Sequence, residues 1–374
     1  MRRLRPKPLS IRHAYISRER RLGEPPEDPL LLFSIFYGFW VANYVAFDAD
    51  ICSDLAARFL ALVEKQDLTA PLMVANRLMG NSLLQTGNIA EAKAHYDRAL
   101  GLYDPVEDRA LATRFGQDVR VATLCYRSFA WWLLGYPEAA LRDADHAISD
   151  AREFGHSATL MYALAMTELT LVHCGKWAIA MAQTDEFMPL AEERGVLFWK
   201  AFGMNTRGVL YAVSGKASNA IQMLTSGTTA YRSTGATSFM PWYVLHSAKA
   251  YAELGRFDDA RRYLGEAVTG VETTNEKWCE GEVHRTAGEL ATMLPEPDAA
   301  TAEACFERAL AITRGQQAKS LELRAAMNMV RLWRDQGKRQ QAHDLLAPVY
   351  GWLTEGFDTP DLKEAKALME QLKA

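Results

Sequence analysis

From residue 70 onward one pattern keeps returning: a glycine, four residues, an alanine, three residues, a large or apolar residue, two residues, then a small or apolar one. It occurs at Gly87-Ala92-Tyr96-Ala99, Gly135-Ala140-Ala144-Ala147, Gly175-Ala180-Thr184-Phe187 and Gly215-Ala220-Leu224-Gly227. Two more copies are Gly255-Ala260-Leu264-Ala267 and Gly337-Ala342-Leu346-Val349, and a copy without the glycine, Ala302-Phe306-Ala309, has Pro295-Glu296-Pro297 in its turn. The first five glycines stand 48, 40, 40 and 40 residues apart. A left-handed glycine ends one helix, the alanine lets a second helix approach the first, and the large residue one turn later fills the groove between them. Upstream of each glycine lies an apolar segment of helical length, such as Phe129-Ala130-Trp131-Trp132-Leu133-Leu134.

The pattern predicts an all-α chain, a right-handed α-solenoid of tetratricopeptide-like helical hairpins with a period near 40 residues. The tetratricopeptide unit is about 34 residues long, and longer helices absorb the difference. Hairpins are expected at 30–66, 70–102, 116–154, 157–193, 197–233, 237–273, 277–314 and 318–350. By domain, this is a basic N-terminal arm at 1–29, a solenoid at 30–359 and a capping helix at 360–374.

Ahead of the array, residues 1–22 carry eight basic side chains and one acid, Glu19. Gly23 to Asp28 separates them from the apolar run that follows, so the segment reads as a solvated terminus rather than a signal peptide or a lipid or RNA contact. Leu30 to Phe47 is free of charge for eighteen residues, the length at which a membrane span must be considered. Ser34, Tyr37, Gly38, Asn43 and Tyr44 dilute it, and Asp28-Pro29 reads as an ordinary helix start. A buried helix opening the array is expected, with no membrane span.

The net charge of −4 leaves no global basic field for nucleic acid. The five cysteines are dispersed with no Cys-x-x-Cys pair, which points to reduced thiols and a cytoplasmic protein. Gly-Lys at 175, 215 and 337 lies at turns and lacks the following Ser or Thr of a phosphate loop. The eight histidines form no metal spacing. No catalytic residue, cofactor or metal is assigned, and the chain is not expected to be an enzyme.

In such a superhelix the first helix of each hairpin lines the concave face. That register places Arg77, Asn81, Tyr126, Phe129, Tyr162, Asn205, Trp242, His246 and Lys249 there, followed by Glu282, Arg285, Glu289, Arg324, Asn328 and Arg331. Arg285, Arg324 and Arg331 could fork onto a carboxylate or phosphate; ion pairing within the array, for instance of Arg285 with Glu282 or Glu289, is the plainer expectation. Trp131, Trp132 and Trp242 read as core filler before they read as a peptide-binding wall.

Several segments carry a more specific likeness. Leu102-Tyr103-Asp104-Pro105, Gly116-Gln117-Asp118-Val119, Trp132 to Leu141, Gly281 to Leu290, Ala302 to Phe306, Ser320 to Ala326, Leu332-Trp333, Gly337-Lys338 and Tyr350 to Leu362 resemble the C-terminal repeat region of bacterial predicted-ATPase and class III adenylate/guanylate cyclase fusion regulators, over about residues 22–374. The resemblance implies a sensor or docking tail of a signalling protein. The ATPase phosphate loop and the cyclase metal-binding aspartates are missing from this chain, so none of that family's catalytic residues carries over. The basic arm departs from the family pattern, as a start created by truncation or frameshift would.

Three functions are therefore in play. The first is a non-catalytic scaffold for a protein or peptide partner, such as a separately encoded ATPase or cyclase. The second is a regulatory domain that senses a small anionic metabolite in the groove, and the third is part of a cyclase whose catalytic domains lie outside this chain.

Overall fold

The computed structural model describes residues 31–64 and 68–373; the basic arm expected at 1–29 lies outside them. The described residues form helices and turns, with no strand among them. Eight hairpins follow one another: α1 (Leu31–Val45) with α2 (Ala49–Val63), α3 (Thr69–Gln85) with α4 (Ile89–Gly101), and, after the single turn α5 (Ala112–Phe115), α6 (Val119–Leu133) with α7 (Pro137–Phe154). Then come α8 (Ser157–His173) with α9 (Trp177–Glu193), α10 (Leu197–Val213) with α11 (Ala217–Ser233), and α12 (Met240–Glu253) with α13 (Phe257–Thr274). The last two pair α14 (Glu280–Met293) with α15 (Ala299–Gly315) and α16 (Lys319–Asp335) with α17 (Arg339–Trp352), and α18 (Pro360–Lys373) closes the array.

The repeat's chemistry is visible in the packing. Ala92, Ala140, Ala180, Ala220, Ala260, Ala302 and Ala342 are each 0% exposed, because a methyl group is all that fits where the paired helices come closest. Each turn glycine of the pattern has positive φ, from Gly215 at 69° to Gly135 at 93°, a region where a β-carbon is disfavoured. Asp118 caps α6 by accepting from the Val121 amide at 2.9 Å, and Asp298 caps α15 by accepting from Thr301. The extra residues behind the 48-residue interval form a short 3₁₀ turn (Arg109–Leu111) and α5.

The apolar opening run became α1, which buries Phe33, Trp40 and Tyr44. Its Trp40 indole donates to Ser82 Oγ on α3 at 3.1 Å. No helix among the described residues is long and apolar enough to cross a membrane.

The superhelix closes on itself after about five hairpins. The Thr237 and Ser238 amides donate to the Val45 carbonyl, Lys277 N to the Gln85 carbonyl at 2.7 Å, and Ser320 Oγ to the Trp132 carbonyl at 2.6 Å across 188 residues. The C-terminal ends of α1, α3 and α6 thus stand on the N-terminal ends of α12, α14 and α16. At this seam the inner face is filled with rings: Trp132 lies 4.2 Å from His173, His173 stacks on Trp242 at 4.7 Å, and Trp278 meets both Trp242 and Phe129. These inner aromatics therefore join the two superhelical turns.

Candidate functional site

Every inner-face residue named from the repeat register lies on the first helix of a hairpin: Arg77 and Asn81 on α3, Tyr126 and Phe129 on α6, Tyr162 on α8, Asn205 on α10, Trp242, His246 and Lys249 on α12, Glu282, Arg285 and Glu289 on α14, Arg324, Asn328 and Arg331 on α16. The tertiary structure sorts them into groups with different chemistry.

The C-terminal group is a ladder of alternating charge. Lys249 Nζ donates to Glu282 Oε1 at 2.8 Å, and Arg285 grips the same carboxylate with two bonds of 2.8 and 2.6 Å. Arg285 also donates to Glu289, which accepts from the Asn328 amide at 2.8 Å. Arg331 continues to Asn328 and to Glu364 of α18, and Arg324 donates to Asp361 of α18 at 2.8 Å while lying over the Trp132 ring. Burial alone would raise the Glu282 carboxyl, yet Arg285 and Lys249 hold it well below the ordinary range. All three arginines considered for an anionic ligand are thus matched to carboxylates of this chain.

A second group serves packing. Asn81 accepts from the Tyr96 hydroxyl at 2.9 Å within its own hairpin. Asn205 is wholly buried under Gly227, with no hydrogen-bond partner for either amide atom. His246 is edge-on to Trp242 at 4.2 Å and has both ring nitrogens unpartnered; burial and then Lys249 lower its pKa well below the usual value, so it is neutral.

The third group surrounds Arg77, which is 2% exposed. Its Nη2 donates to the Tyr37 hydroxyl at 3.1 Å. In the amide orientation that satisfies both ends of Gln117, the side-chain oxygen accepts from Nη1 at 2.9 Å and Nη2 at 3.2 Å while the nitrogen donates to the Phe115 carbonyl. Residues 102–118, the one long insertion in the array, deliver Phe115 and Gln117 to this point.

Sequence reasoning missed Tyr37, Gln117, Glu168, His173, Asp361 and Glu364. The period itself could have found Tyr37, which stands 40 residues before Arg77. Gln117, at the edge of the hairpin expected at 116–154, precedes the first helix of that hairpin, so the inner-face register did not reach it. Glu168 is 1% exposed beside a cavity of about 30 Å³ lined by Met166, Phe202, Thr206 and Tyr243, enough for a single water. Thr184 donates to its Oε1 at 2.6 Å, Oε2 is unpartnered, and burial pushes its pKa up to about 8. Among the described residues no cluster of three His, Cys, Asp or Glu side chains is placed to hold a metal ion.

The architecture defines a tetratricopeptide-like helical solenoid. No protein-family model matches the chain. An uncharacterized protein of Rhizobium meliloti (strain 1021) is 24% identical over 325 residues, which is 84% of this chain and 30% of that protein; the chain therefore spans less than a third of that relative's length. Among solved structures, a Rap protein complexed with Competence and Sporulation Factor matches with a TM-score of 0.64 at 13% identity, covering 97% of this chain and 94% of that one. The apo form of the quorum sensor NprR from B. thuringiensis matches with a TM-score of 0.54 at 10% identity, over 92% of this chain and 94% of that one. The Rap conjugation gene regulator of plasmid pLS20 in complex with the Phr* peptide gives 0.53 at 11% identity, over 81% and 75%. At these identities the likeness is one of fold.

Proposed function

We propose that this chain is a non-catalytic scaffold that binds a protein or peptide partner on the inner face of its superhelix, in the cytoplasm. The observation that carries the reading is the whole-length likeness to a Rap protein complexed with Competence and Sporulation Factor, joined by the Phr* peptide complex. One full superhelical turn of paired helices and most of a second, with an inner face built from first helices, suit an extended ligand.

The inner-face residues named above are its candidate contacts. Lys249, Glu289, Arg324 and Arg331 keep part of their side chains in solvent and present both signs of charge, which favours register and specificity over raw affinity. The partner we favour is a separately encoded ATPase or cyclase. Supporting this are the resemblance to the repeat tails of such regulators and a relative that extends far beyond the matched region.

The test is affinity capture of the tagged chain from its host, with salt washes and mass spectrometry. A reproducible ATPase or cyclase is expected, and its recovery should fall at least about tenfold for a Lys249→Glu/Arg331→Glu double variant, because like charges across an interface cost several kcal/mol. No reproducible partner from a chain that is helical by circular dichroism overturns the reading.

A further inference from the structure

Arg77 stands apart from the other inner-face arginines in one respect. Arg285, Arg324 and Arg331 each meet a carboxylate, whereas no carboxylate pairs with Arg77 among the described residues. A guanidinium carries five N–H donors. Those of Arg77 are met by two neutral acceptors, Tyr37 Oη and the Gln117 side-chain oxygen, and Nε has no partner. The Tyr37 ring lies 5.5 Å from the guanidinium carbon and contributes only its π face. A full positive charge is therefore held out of water without a counter-ion among the described residues, an arrangement that costs free energy unless something negative completes it.

We infer that Arg77 is the anchor of an anion site on the inner face of the first superhelical turn, and that its ligand is a carboxylate. A planar carboxylate matches the guanidinium fork, and the hydroxyl of half-buried Tyr37 stands beside it, 3.1 Å from Nη2. A ligand reaches the guanidinium by displacing the Tyr37 hydroxyl from Nη2 and taking up the free Nε. The carboxylate comes either from the C-terminus of a peptide or from a free small acid. This assignment rests on the partner-binding reading for its use of the inner face. The two fail separately: capture of a partner without any carboxylate response removes the anion site alone, and a carboxylate response without capture removes the partner alone.

The experiment is thermal unfolding of the full chain at pH 7 with three probes at matched ionic strength: glutarate, N-acetyl-pentaalanine with a free C-terminus, and the same peptide amidated. The midpoint is expected to rise by about 2–4 °C at saturating carboxylate. A rise with glutarate assigns the site to a small acid, and a rise confined to the free-acid peptide assigns it to a polypeptide terminus. Arg77→Met should melt no lower than the unliganded parent and lose the response, while Arg58→Gln, at an exposed guanidinium on α2, keeps it. Gln117→Glu places a carboxylate of the chain against the guanidinium. It should raise the unliganded midpoint and abolish the response, which keeps the test decisive if Arg77→Met does not fold. No response to any carboxylate, an equal response in Arg77→Met, or a lower midpoint in Gln117→Glu would overturn the site.

Discussion

Buried ionisable side chains set how this protein responds to pH. Glu168 and Glu276 are both pushed up to about 8 by burial, although Thr184 donates to the first and the Phe239 amide and Trp278 indole donate to the second. His173 is lowered to about 3, by burial and then by Arg324, and His246 shifts the same way. A carboxyl whose folded pKa is raised holds its proton in the native state while the unfolded chain releases it near 4.5, so its contribution is lost as pH rises towards 8. The histidines act oppositely: the unfolded chain takes up protons below about 6.5 and the native state does not, so stability falls as pH drops through that range. Between about 4.5 and 6.5 the two pairs offset one another, and from 6.5 to 8 the carboxyls dominate. Urea unfolding should therefore give a lower midpoint at pH 8.5 than at pH 6, with each carboxyl contributing up to about 1.4 kcal/mol per pH unit. Glu168→Gln, which removes one of the two titrations but keeps an acceptor for Thr184, should flatten that slope by roughly half.

At the scale of helices, close approach is built from small residues on both partners of a hairpin. The alanine of the second helix was legible in the sequence, and so was the turn glycine. Less visible was a glycine seven positions upstream, on the first helix: an added β-carbon at Gly80 would sit 2.4 Å from the Tyr96 ring, at Gly208 2.6 Å from Leu224, and at Gly288 2.3 Å from the Phe306 ring. In these three copies the glycine is the hole that receives the large residue. Gly288→Ala should destabilise by about 1–3 kcal/mol through overpacking, despite alanine's better helix propensity, and chemical unfolding would show it; an unchanged midpoint would mean that Phe306 moves aside freely. The turns between hairpins have a period of their own, with left-handed backbone at Gly155, Gly195, Gly235 and Asn275. A search anchored on the first turn alone passes over it, because asparagine replaces glycine in the fourth copy.

For the whole molecule, what matters is how one superhelical turn is fastened to the next. Near the C-terminus, the Gly356 amide donates to Glu138 at 3.0 Å, the Ala139 amide to Glu355 at 2.9 Å, and Lys176 Nζ to Asp358 at 3.2 Å. Pro360 packs on Gly175, where a β-carbon would lie 2.4 Å from the proline ring and where φ is +74°. Gly175→Val should therefore both strain the turn between α8 and α9 and pry the 353–360 segment off the first turn. About 2–4 kcal/mol of stability should be lost, and limited proteolysis should cut within residues 353–359 faster than in the parent chain. Equal cleavage rates would show that the seam does not hold that segment.

The all-helical hairpin array was readable from residue order alone, because helix pairing is local: the glycine, the alanine and the large residue that specify it lie within a dozen positions and recur every forty. The opening helix at Leu31–Val45 was readable from its length and its diluting polar residues, but its burial is confined to Phe33, Trp40 and Tyr44. The inner face was readable only as a register. Whether Lys249 meets Glu282, Arg324 meets Asp361, or Arg77 meets no carboxylate among the described residues depends on which helices the superhelix brings side by side, and on an insertion that places Gln117 against a helix 40 residues upstream. Superhelical closure joins residues nearly 190 apart, such as Ser320 and Trp132; small rotations at each hairpin add up over that distance, and no local pattern records their sum.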